Sequence, residues 1–305
     1  MLATILVPLD GSRFAETALP VATRLTARAE GRLYLAMAHR PLAALVGLGE
    51  VAAPSFGADD DARVREEEYL TETSVGLGSV GTGPVRFRLR DGFAGETICD
   101  EAGRVGTDLI IMATHGRGAM GRIWLGSVAD HVVRHSTRPV LLVHPGRDHA
   151  VPPEQFARNI LVALDQSTYS EAIIDPVLDI ARLTGAEVTL LTIVAPVFDP
   201  VESTLPHPVP QHPAIQARRS DEAHCRLRRA ASRLRERGVR VSMRVVVGSS
   251  PAAGILDVLE EERFDMVALT THGAGGVRRL MVGSVADKVI RGAHKPVLVL
   301  RPAVM

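Results

Sequence analysis

The sequence predicts an α/β protein of two tandem domains, each with a five-stranded, parallel, doubly wound sheet. The first observation is a duplication, because residues 114–145 align without a gap to residues 271–302 with 16 identities in 32 positions. The second is the alternation of short apolar runs with helical patterns, which is typical of parallel strands joined by right-handed helical crossovers. The third is length, because 305 residues suffice for two domains of ordinary size.

The two copies are predicted to occupy residues 1–146 and 157–305. Their first strands carry the matching segments "ILVPLDGS" (Ile5–Ser12) and "ILVALDQS" (Ile160–Ser167). A period of about 150 residues is far too long for a solenoid repeat, so each copy is a domain. Residues 146–157, with one glycine and two prolines, are predicted to form the linker.

The first half begins with "TILVPL", a continuous aliphatic and β-branched run that indicates a strand buried on both faces. Residues 13–29 have apolar positions at helical spacing and stop before Gly31. The later segments are predicted to be a buried strand at 33–38, an acidic helix at 61–75, an edge strand of period two at 85–90, a helix at 94–105, a strand at 108–113, a helix at Ser127–His135 and a last strand at 139–144.

The second half repeats this order. Its strands are predicted near 159–164, 188–194, 239–247, 265–270 and 296–301. Residues 195–213 are proline-rich and are predicted to form an extended loop. This loop contains His207 and His212, which lack a third ligand, so no metal site is predicted there.

Composition narrows the classes of function. Hydrophobic residues make up 46% of the chain and charged residues 23%, a balance typical of a soluble globular protein. The formal net charge is zero, so no global field favours nucleic acid or an anionic membrane. The amino terminus lacks the basic region of a signal peptide, and no apolar run approaches the roughly 18 residues that suggest a membrane span. We therefore expect neither a membrane nor a nucleic-acid partner.

Cysteine and lysine usage adds two expectations. Cys99 and Cys225 belong to no Cys-x-x-Cys or Cys/His cluster, so both are predicted to be buried apolar side chains of a protein in the reducing cytoplasm. The lysines, Lys288 and Lys295, lie outside any Gly-x4-Gly-Lys-Ser/Thr motif. This excludes a P-loop nucleotide site.

A helix predicted over residues 217–240 is strongly basic, with nine arginines and three acids between Arg218 and Arg240. It lacks interleaved aromatic residues, so a solvated helix face is favoured over a nucleic-acid site. Its counterpart in the first half, "DDDARVREEEYL", is acidic. Opposite charges on equivalent helices suggest a surface through which copies or subunits pair.

A glycine-rich loop follows the fourth strand of each copy and leads directly into a helix. Ligands of open parallel sheets bind outside the carboxyl ends of the strands. Glycines there let bare backbone approach a ligand, and a helix N-terminus, with about half a positive charge, binds phosphate without lysine. The two serines are predicted to be the N-caps of their helices. The candidate positions are Gly116, Gly126 and Ser127 in the first copy and Gly273, Gly283 and Ser284 in the second.

This segment also allows a structural and a catalytic interpretation. Ser127-x-x-Asp130 and Ser284-x-x-Asp287 resemble capping boxes, which would satisfy the helix ends without a ligand. His115 and His272 beside the glycines are candidates for acid/base chemistry. Because neither copy shows a nucleophile elbow or a Ser-His-Asp pattern, no catalytic residue is assigned.

The arrangement "THG", nine residues, "GSV" and then a basic-Pro-Val-hydrophobic strand resembles the universal stress protein family. The resemblance spans nearly the whole chain in two copies. It implies domains similar to the adenine-nucleotide α-hydrolase-like fold, with strand order 3-2-1-4-5. It also implies ATP as the ligand, with or without Mg²⁺, because many members of the family bind ATP.

The family's binding pattern, Gly-x2-Gly-x9-Gly-Ser/Thr, carries over with one departure. Its last three positions match the glycines and serines already given, whereas its first glycine falls on Ala113 and Thr270. A side chain at this position is expected to crowd the backbone near the ribose or the phosphates, more so for the β-branched threonine. Val128 and Val285 would offer backbone N–H groups to the phosphates.

The resemblance also assigns positions on the first and second strands. Asp10 and Asp165 match the acidic residue that lies beside adenine and ribose. Pro8, at the end of the first strand, is also assigned to the nucleotide-binding positions. The alternative for each aspartate is that it caps its own turn. The position that contacts adenine falls on Ala38 and Ile193, both apolar.

The predicted function is that of an ATP-binding stress-response regulator rather than a dedicated catalyst. A nucleotide-free interaction module with purely structural loops is one alternative, and a slow ATP hydrolase or self-phosphorylating protein is another. The resemblance further implies an intramolecular pseudo-dimer joined through the last strand of each copy, and it leaves a homodimer open.

Overall fold

A computed structural model of the protein describes residues 2–41, 57–79, 83–114, 125–144, 156–197, 213–261, 264–272 and 282–302. Contacts within the chain divide it between Phe156 and Ala157 into two compact units, and residues 298–302 are grouped with the first unit. The predictions for Gly116, His115 and Gly273 lie outside the described residues. The same holds for most of the proline-rich loop, including both of its histidines.

The first half forms a parallel sheet with the strand order β3-β2-β1-β4-β5, which confirms the order 3-2-1-4-5. Its elements along the chain are β1 (Thr4–Pro8), α1 (Arg13–Glu16), α2 (Leu19–Ala29), β2 (Arg32–His39), α3 (Ala58–Gly78), β3 (Val85–Asp91), α4 (Ala94–Arg104), β4 (Leu109–Ala113), α5 (Ser127–His135) and β5 (Val140–Val143).

The second half repeats this topology with the order β8-β7-β6-β9-β10. The pairs of β6 with β7, β6 with β9 and β7 with β8 are parallel. Its elements are β6 (Asn159–Ala163), a short 3-10 helix (Ser170–Ile173), α6 (Ile174–Thr184), β7 (Glu187–Val194), α7 (Pro213–Arg235), β8 (Arg240–Val247), α8 (Pro251–Glu261), β9 (Met266–Thr270), α9 (Ser284–Gly292) and β10 (Val297–Leu300).

The central strands form the core of each half. Every residue of β1, β4 and β9 is buried, as their continuous apolar runs predict. Leu6, Ile110 and Val267 have no exposed surface. Because burial of such a side chain contributes about 1.5–3 kcal/mol, these strands fix the sheet whose carboxyl edge carries the candidate site.

The first predicted helix, at residues 13–29, is divided in the structure. The chain forms α1 and α2 with a break between Glu16 and Leu19, and Pro20 lies in the first turn of α2. Proline has no N–H to donate to the carbonyl four residues earlier, and its ring crowds that carbonyl. A continuous helix through Pro20 would therefore lose its bond to Glu16.

The basic helix begins and ends earlier than predicted: it starts at Pro213 instead of residue 217. It ends at Arg235, whereas Arg240 is the first residue of β8. Gly238, with φ of 82°, supplies the left-handed turn between the two elements.

The prediction that both cysteines are buried is wrong for Cys225, which is exposed, while Cys99 is partly buried. The buried positions of α7 include Ala223 and Leu227, and Cys225 lies between them on the opposite face of the helix. Burial raises the pKa of the Cys99 thiol to about 11.

An aspartate outside every motif quoted above joins two strands at the amino-terminal edge of each sheet. Asp108 precedes β4, and its Oδ2 accepts two successive backbone N–H groups at the start of β1, at 2.8 and 2.9 Å. Asp265 precedes β9, and its Oδ2 accepts two such groups at the start of β6, both at 2.8 Å. Each carboxylate thus holds the first and fourth strands of its sheet together.

Among the residues that the structure describes, no helix combines the length and the apolar character required to cross a membrane.

Candidate functional site

A cavity of about 400 Å³ opens at the carboxyl edge of the second-half sheet. Of the seven second-half site residues predicted from the sequence, six line it, and Gly273 lies outside the described residues. The complete lining is Ala163, Leu164, Asp165, Ser170, Leu191, Ile193, Pro251, Ile255, Leu269, Thr270, Thr271, His272, Gly283, Ser284, Val285 and Ala286. The structure therefore brings together residues from the first strand and the last crossover helix of the second half.

The amino-terminal end of α9 forms one wall of this cavity. The N-cap is Gly283 and not Ser284, because the Asp287 N–H donates to the Gly283 carbonyl at 2.9 Å. The Asp287 carboxylate accepts from Arg291 Nε at 3.0 and 3.1 Å, so the predicted capping box does not form. A glycine cap has no side-chain oxygen to accept from the first N–H groups of the helix, which makes this end suitable for an anion.

Helix α5 has the same amino-terminal arrangement in the first half. Gly126 is the N-cap, and the Asp130 N–H donates to its carbonyl at 2.8 Å, so the prediction of Ser127 as N-cap is also wrong here. The Asp130 carboxylate accepts from Arg134 Nε and Nη2 at 2.6 and 2.8 Å. An arginine one turn along each helix attracts the carboxylate that a capping box would need.

Gly283 is required by the packing of its backbone. Its N–H donates to the Thr271 carbonyl at 2.8 Å, and a Cβ atom at this position would lie 2.9 Å from the same oxygen. The Gly126 N–H makes the equivalent bond to the Thr114 carbonyl, also at 2.8 Å. These bonds hold the start of each helix against the end of the fourth strand.

Thr270 occupies the position where the family pattern has its first glycine. It is 7% exposed, and its hydroxyl donates to the His272 carbonyl at 2.8 Å. The Thr271 hydroxyl lies 2.8 Å from His272 Nδ1. Thr270 is thus part of the cavity wall, and a cavity of about 400 Å³ remains beside it.

The predicted aspartates both cap their own turns. Oδ1 of Asp165 accepts from the Ser167 N–H at 3.0 Å and from its hydroxyl at 2.5 Å. Oδ1 of Asp10 accepts from Ser12 in the same way, at 2.9 and 2.6 Å. Asp165 also lines the cavity, so its turn holds a carboxylate at the edge where a ligand would bind.

The model of the universal stress protein family matches residues 1–144 and 157–301. This chain belongs to the universal stress protein family. A universal stress protein of Mycolicibacterium smegmatis is 26% identical over 301 residues, which cover 98% of this chain and 97% of that protein. One of Mycobacterium tuberculosis is 31% identical over 195 residues, 64% of this chain and 62% of that protein.

Solved structures agree with the tandem fold of this universal stress protein. The crystal structure of a universal stress protein from Archaeoglobus fulgidus has a TM-score of 0.66 at 20% identity, covering 98% of this chain and 96% of that one. A Pseudomonas aeruginosa structure also has a TM-score of 0.66, at 19% identity, with 99% and 94% covered. At these identities the likeness establishes the fold alone.

The first-half site residues of this universal stress protein also lie towards one sheet edge. Pro8 and Ala113 are the last residues of β1 and β4, and Ala38 is the penultimate residue of β2. Asp10 follows β1, and Val128 lies in the first turn of α5. The carboxyl ends of three strands and one helix N-terminus thus converge, as they do in the second half.

Sequence reasoning missed the part of the cavity wall that α8 provides. Pro251 and Ile255 line the cavity, although both lie far along the chain from every quoted motif. Helix α8 begins just after β8, and all strands of a parallel sheet end at the same edge. It packs closely against Ile193, because a Cβ atom on Gly254 would lie 3.0 Å from Ile193 Cδ1.

His272 lines the cavity, and its Nδ1 contact with Thr271 orients the ring. In the described ranges, no group of three or more His, Cys, Asp or Glu side chains is arranged to hold a metal ion.

The turn after β6 contains a strained residue that its first-half counterpart avoids. Gly11 has φ of 76°, and Gln166 at the equivalent position has φ of 70°. A side chain in this left-handed region costs about 1–2 kcal/mol, partly offset by the greater flexibility of glycine in the unfolded chain. We expect Gln166→Gly to raise the free energy of unfolding by about 0.5–1 kcal/mol in urea denaturation.

The first copy supplies the reciprocal control for this substitution. Gly11→Gln introduces the same strain after β1 and is expected to lower the free energy of unfolding by a similar amount. A Gln166→Gly protein that is no more stable than the unsubstituted chain would contradict this account of the turn.

Proposed function

We propose that this universal stress protein binds an adenine nucleotide, ATP, and acts as a nucleotide-dependent regulator of a stress response in the cytoplasm. The observation that carries the proposal is the second-half cavity. It combines an uncapped helix N-terminus, a carboxylate and an apolar wall at the edge of the sheet where ligands of this fold bind.

Each part of the nucleotide has a chemical counterpart in the lining. Ile193 and Ile255 give an apolar surface suited to a purine base. The Asp165 carboxylate is suited to accept a hydrogen bond from a ribose hydroxyl. The N–H groups of Ser284 and Val285, with the positive end of the α9 dipole, are suited to phosphate oxygens. Mg²⁺, if bound with ATP, would neutralise part of the phosphate charge.

The first half supports a second nucleotide site by the same reasoning. Asp10, Ala38 and Val128 stand where Asp165, Ile193 and Val285 stand in the second half. Ala113 replaces Thr270, and the smaller side chain leaves more room beside the strand end. We therefore expect up to two nucleotides for each chain.

A nucleotide-free interaction module is the competing function. The observation that favours it is the bond of Gly283 to Thr271, which explains this glycine without a ligand. Variants of Gly283 disturb this packing, so a loss of binding in them would not separate the two functions. A discriminating variant must remove a phosphate donor and keep the backbone path.

Val285→Pro meets this requirement. The N–H of the second helical residue has no partner within an α-helix, so proline there removes a donor without breaking a helical bond. Helix α2 already contains Pro20 in its first turn. We expect Val285→Pro to raise the dissociation constant of the second-half site about tenfold or more, because hydrogen bonds to charged groups contribute about 1.5–3 kcal/mol.

Isothermal titration of the full chain with ATP measures this effect, and Val128→Pro is its matched control in the first half. A dissociation constant raised about tenfold or more at one site of Val285→Pro, with the site at Val128 unaffected, supports the proposal. No heat at millimolar ATP, no nucleotide co-purifying by ultraviolet absorbance, or identical titrations for Val285→Pro and the unsubstituted chain would refute it. If the unsubstituted chain releases phosphate from ATP faster than Val285→Pro does, the protein is instead a slow ATP hydrolase.

Pairing of the two copies through their last strands, and a homodimer, remain predictions from the family resemblance.

A further inference from the structure

Helices α3 and α7 occupy equivalent places in the two halves and carry opposite charge. Seven acidic residues and two arginines give α3 a formal charge of −5. Seven arginines and two acidic residues give α7 a formal charge of +5. Their lengths of 21 and 23 residues correspond to about 32 and 35 Å at 1.5 Å per residue, so the two charged faces match in size as well.

Within the described part of the chain, much of the positive charge of α7 is not neutralised. Its buried side faces its own sheet with apolar residues such as Leu227 and Leu234. Arg218 pairs with Glu222, and Arg233 with carboxylates of the preceding helical segment. The side chains of three exposed arginines of the helix make no ion pair or hydrogen bond with any residue that the structure describes. These are Arg219, Arg228 and Arg229.

Most acidic side chains of α3 are likewise exposed and available to a binding partner. His39 contacts Asp59 and Glu66 from the sheet side, at 3.5 and 2.8 Å. The other five acidic side chains of α3 are exposed and form no ion pair within the described part of the chain. They are Asp60, Asp61, Glu67, Glu68 and Glu72.

Exposed apolar side chains accompany the charge on both helices. Val64 and Val75 of α3 are 53% and 68% exposed, and Ile215 of α7 is 44% exposed. Protein interfaces combine such apolar contacts with a charged rim, whereas single-stranded nucleic acid is bound by aromatic side chains between the basic residues. Helix α7 contains no aromatic residue other than His224, so its composition favours a protein partner.

The distribution of charge along α3 and α7 favours one relative direction of the two helices in a contact. All seven acids of α3 lie within its first 15 residues, whereas five of the seven arginines of α7 lie within its last 10. The charges coincide when the two helices run antiparallel. Their dipoles are then antiparallel too, which favours the contact further.

We propose that α7 of one copy of this chain docks antiparallel on α3 of a second copy, forming a salt-sensitive self-association. The contact is heterologous, because two different surfaces meet, and it joins chains in rings or open arrays unless a pair closes on itself. The proposal is independent of nucleotide binding. Charge complementarity gives the contact its specificity, and the zero net charge of the chain removes any overall repulsion between copies.

Sedimentation of the full chain at two salt concentrations tests the docking. The Debye length falls from about 30 Å at 0.01 M to about 3 Å at 1 M salt, so we expect a concentration-dependent mass increase at low salt that is lost at high salt. Arg228→Glu with Arg229→Glu is expected to weaken the association at low salt at least about tenfold. Arg104→Glu with Arg182→Glu is the control, because it makes the same charge change at exposed positions of α4 and α6.

A charge swap makes the test specific for the two helices. Glu68→Arg with Glu72→Arg on α3 should weaken the association to a similar extent, and an equimolar mixture with the α7 variant should restore it. Restoration also shows that both variants are folded. The proposal is overturned by a mass that does not change with salt or with the α7 variant, or by a mixture that stays dissociated. Binding of poly(U) at about 0.15 M salt without self-association would overturn it in favour of a nucleic-acid partner.

Discussion

Gly283→Val is expected to lower the free energy of unfolding by about 3 kcal/mol. The reason is steric and not conformational, because φ of −59° and ψ of 147° suit any residue. A Cβ atom would lie 2.9 Å from the Thr271 carbonyl oxygen, a backbone atom that cannot rotate away. The helix start must then move from the strand end, and the 2.8 Å bond between the two residues is lost.

Urea denaturation measures this loss, and amide hydrogen exchange in β9 and α9 assigns it to the second half. Ser284→Ala is the matched control, because Ser284 is exposed and is not the N-cap, so its truncation is expected to change stability by less than about 0.5 kcal/mol. A Gly283→Val protein as stable as Ser284→Ala would refute the steric account. A protein with lower stability but unchanged affinity for ATP would separate the packing role of this glycine from ligand binding.

The elements that sequence predicts well are those whose environment leaves a direct pattern. Strands such as β1 and β9 are buried on both faces, so a continuous apolar run marks them. Because the same pattern occurs at equivalent positions of the two copies, each copy supports the assignment made in the other. Helix ends are harder to place, because they depend on backbone angles. Gly126 and Gly283 both have extended backbone angles, and their carbonyls accept the first hydrogen bond of the helix. In each copy the glycine is therefore the N-cap, and the serine that follows is the first helical residue.

The candidate site is predictable only in part, for a related reason. Motif spacing identifies residues near strand ends and glycine loops, such as Asp165 and Ser284, because the constraint is local. The apolar wall formed by α8 is not marked by any motif in the sequence around it. Pro251 and Ile255 reach the cavity because β8 and β6 end at the same sheet edge, and only the folded topology provides that neighbourhood.

Asp265→Ala is expected to lower the free energy of unfolding by about 2 kcal/mol, because Oδ2 accepts two backbone N–H groups at 2.8 Å and hydrogen bonds to charged groups contribute about 1.5–3 kcal/mol each when well shielded. One of these bonds is exposed and the other part-buried, so solvent weakens their contribution and the expected loss is smaller than the sum for two shielded bonds. Asp265→Asn keeps an oxygen acceptor without the charge and should lose about half as much. Urea denaturation measures both.

Glu260→Ala provides the control for charge, because Glu260 is an exposed acid of the same half. Asp108→Ala provides the control for position, since Asp108 makes the same two bonds in the first copy and should show a similar loss. Stability of Asp265→Ala equal to that of Glu260→Ala would contradict the prediction. ATP affinity should not change, because Asp265 lies at the amino edge of the sheet and the cavity lies at the carboxyl edge.

This contrast bears on how duplicated residues are interpreted. Asp108 and Asp265 are repeated in both copies as faithfully as Asp10 and Asp165, yet the first pair holds strands together at the edge away from the cavity. Duplication therefore identifies what the fold requires as readily as what a ligand requires. Residues required by the fold are distinguished from residues required by a ligand by the sheet edge at which they lie. The Asp265 variants test this distinction, because stability and ATP affinity are measured on the same protein.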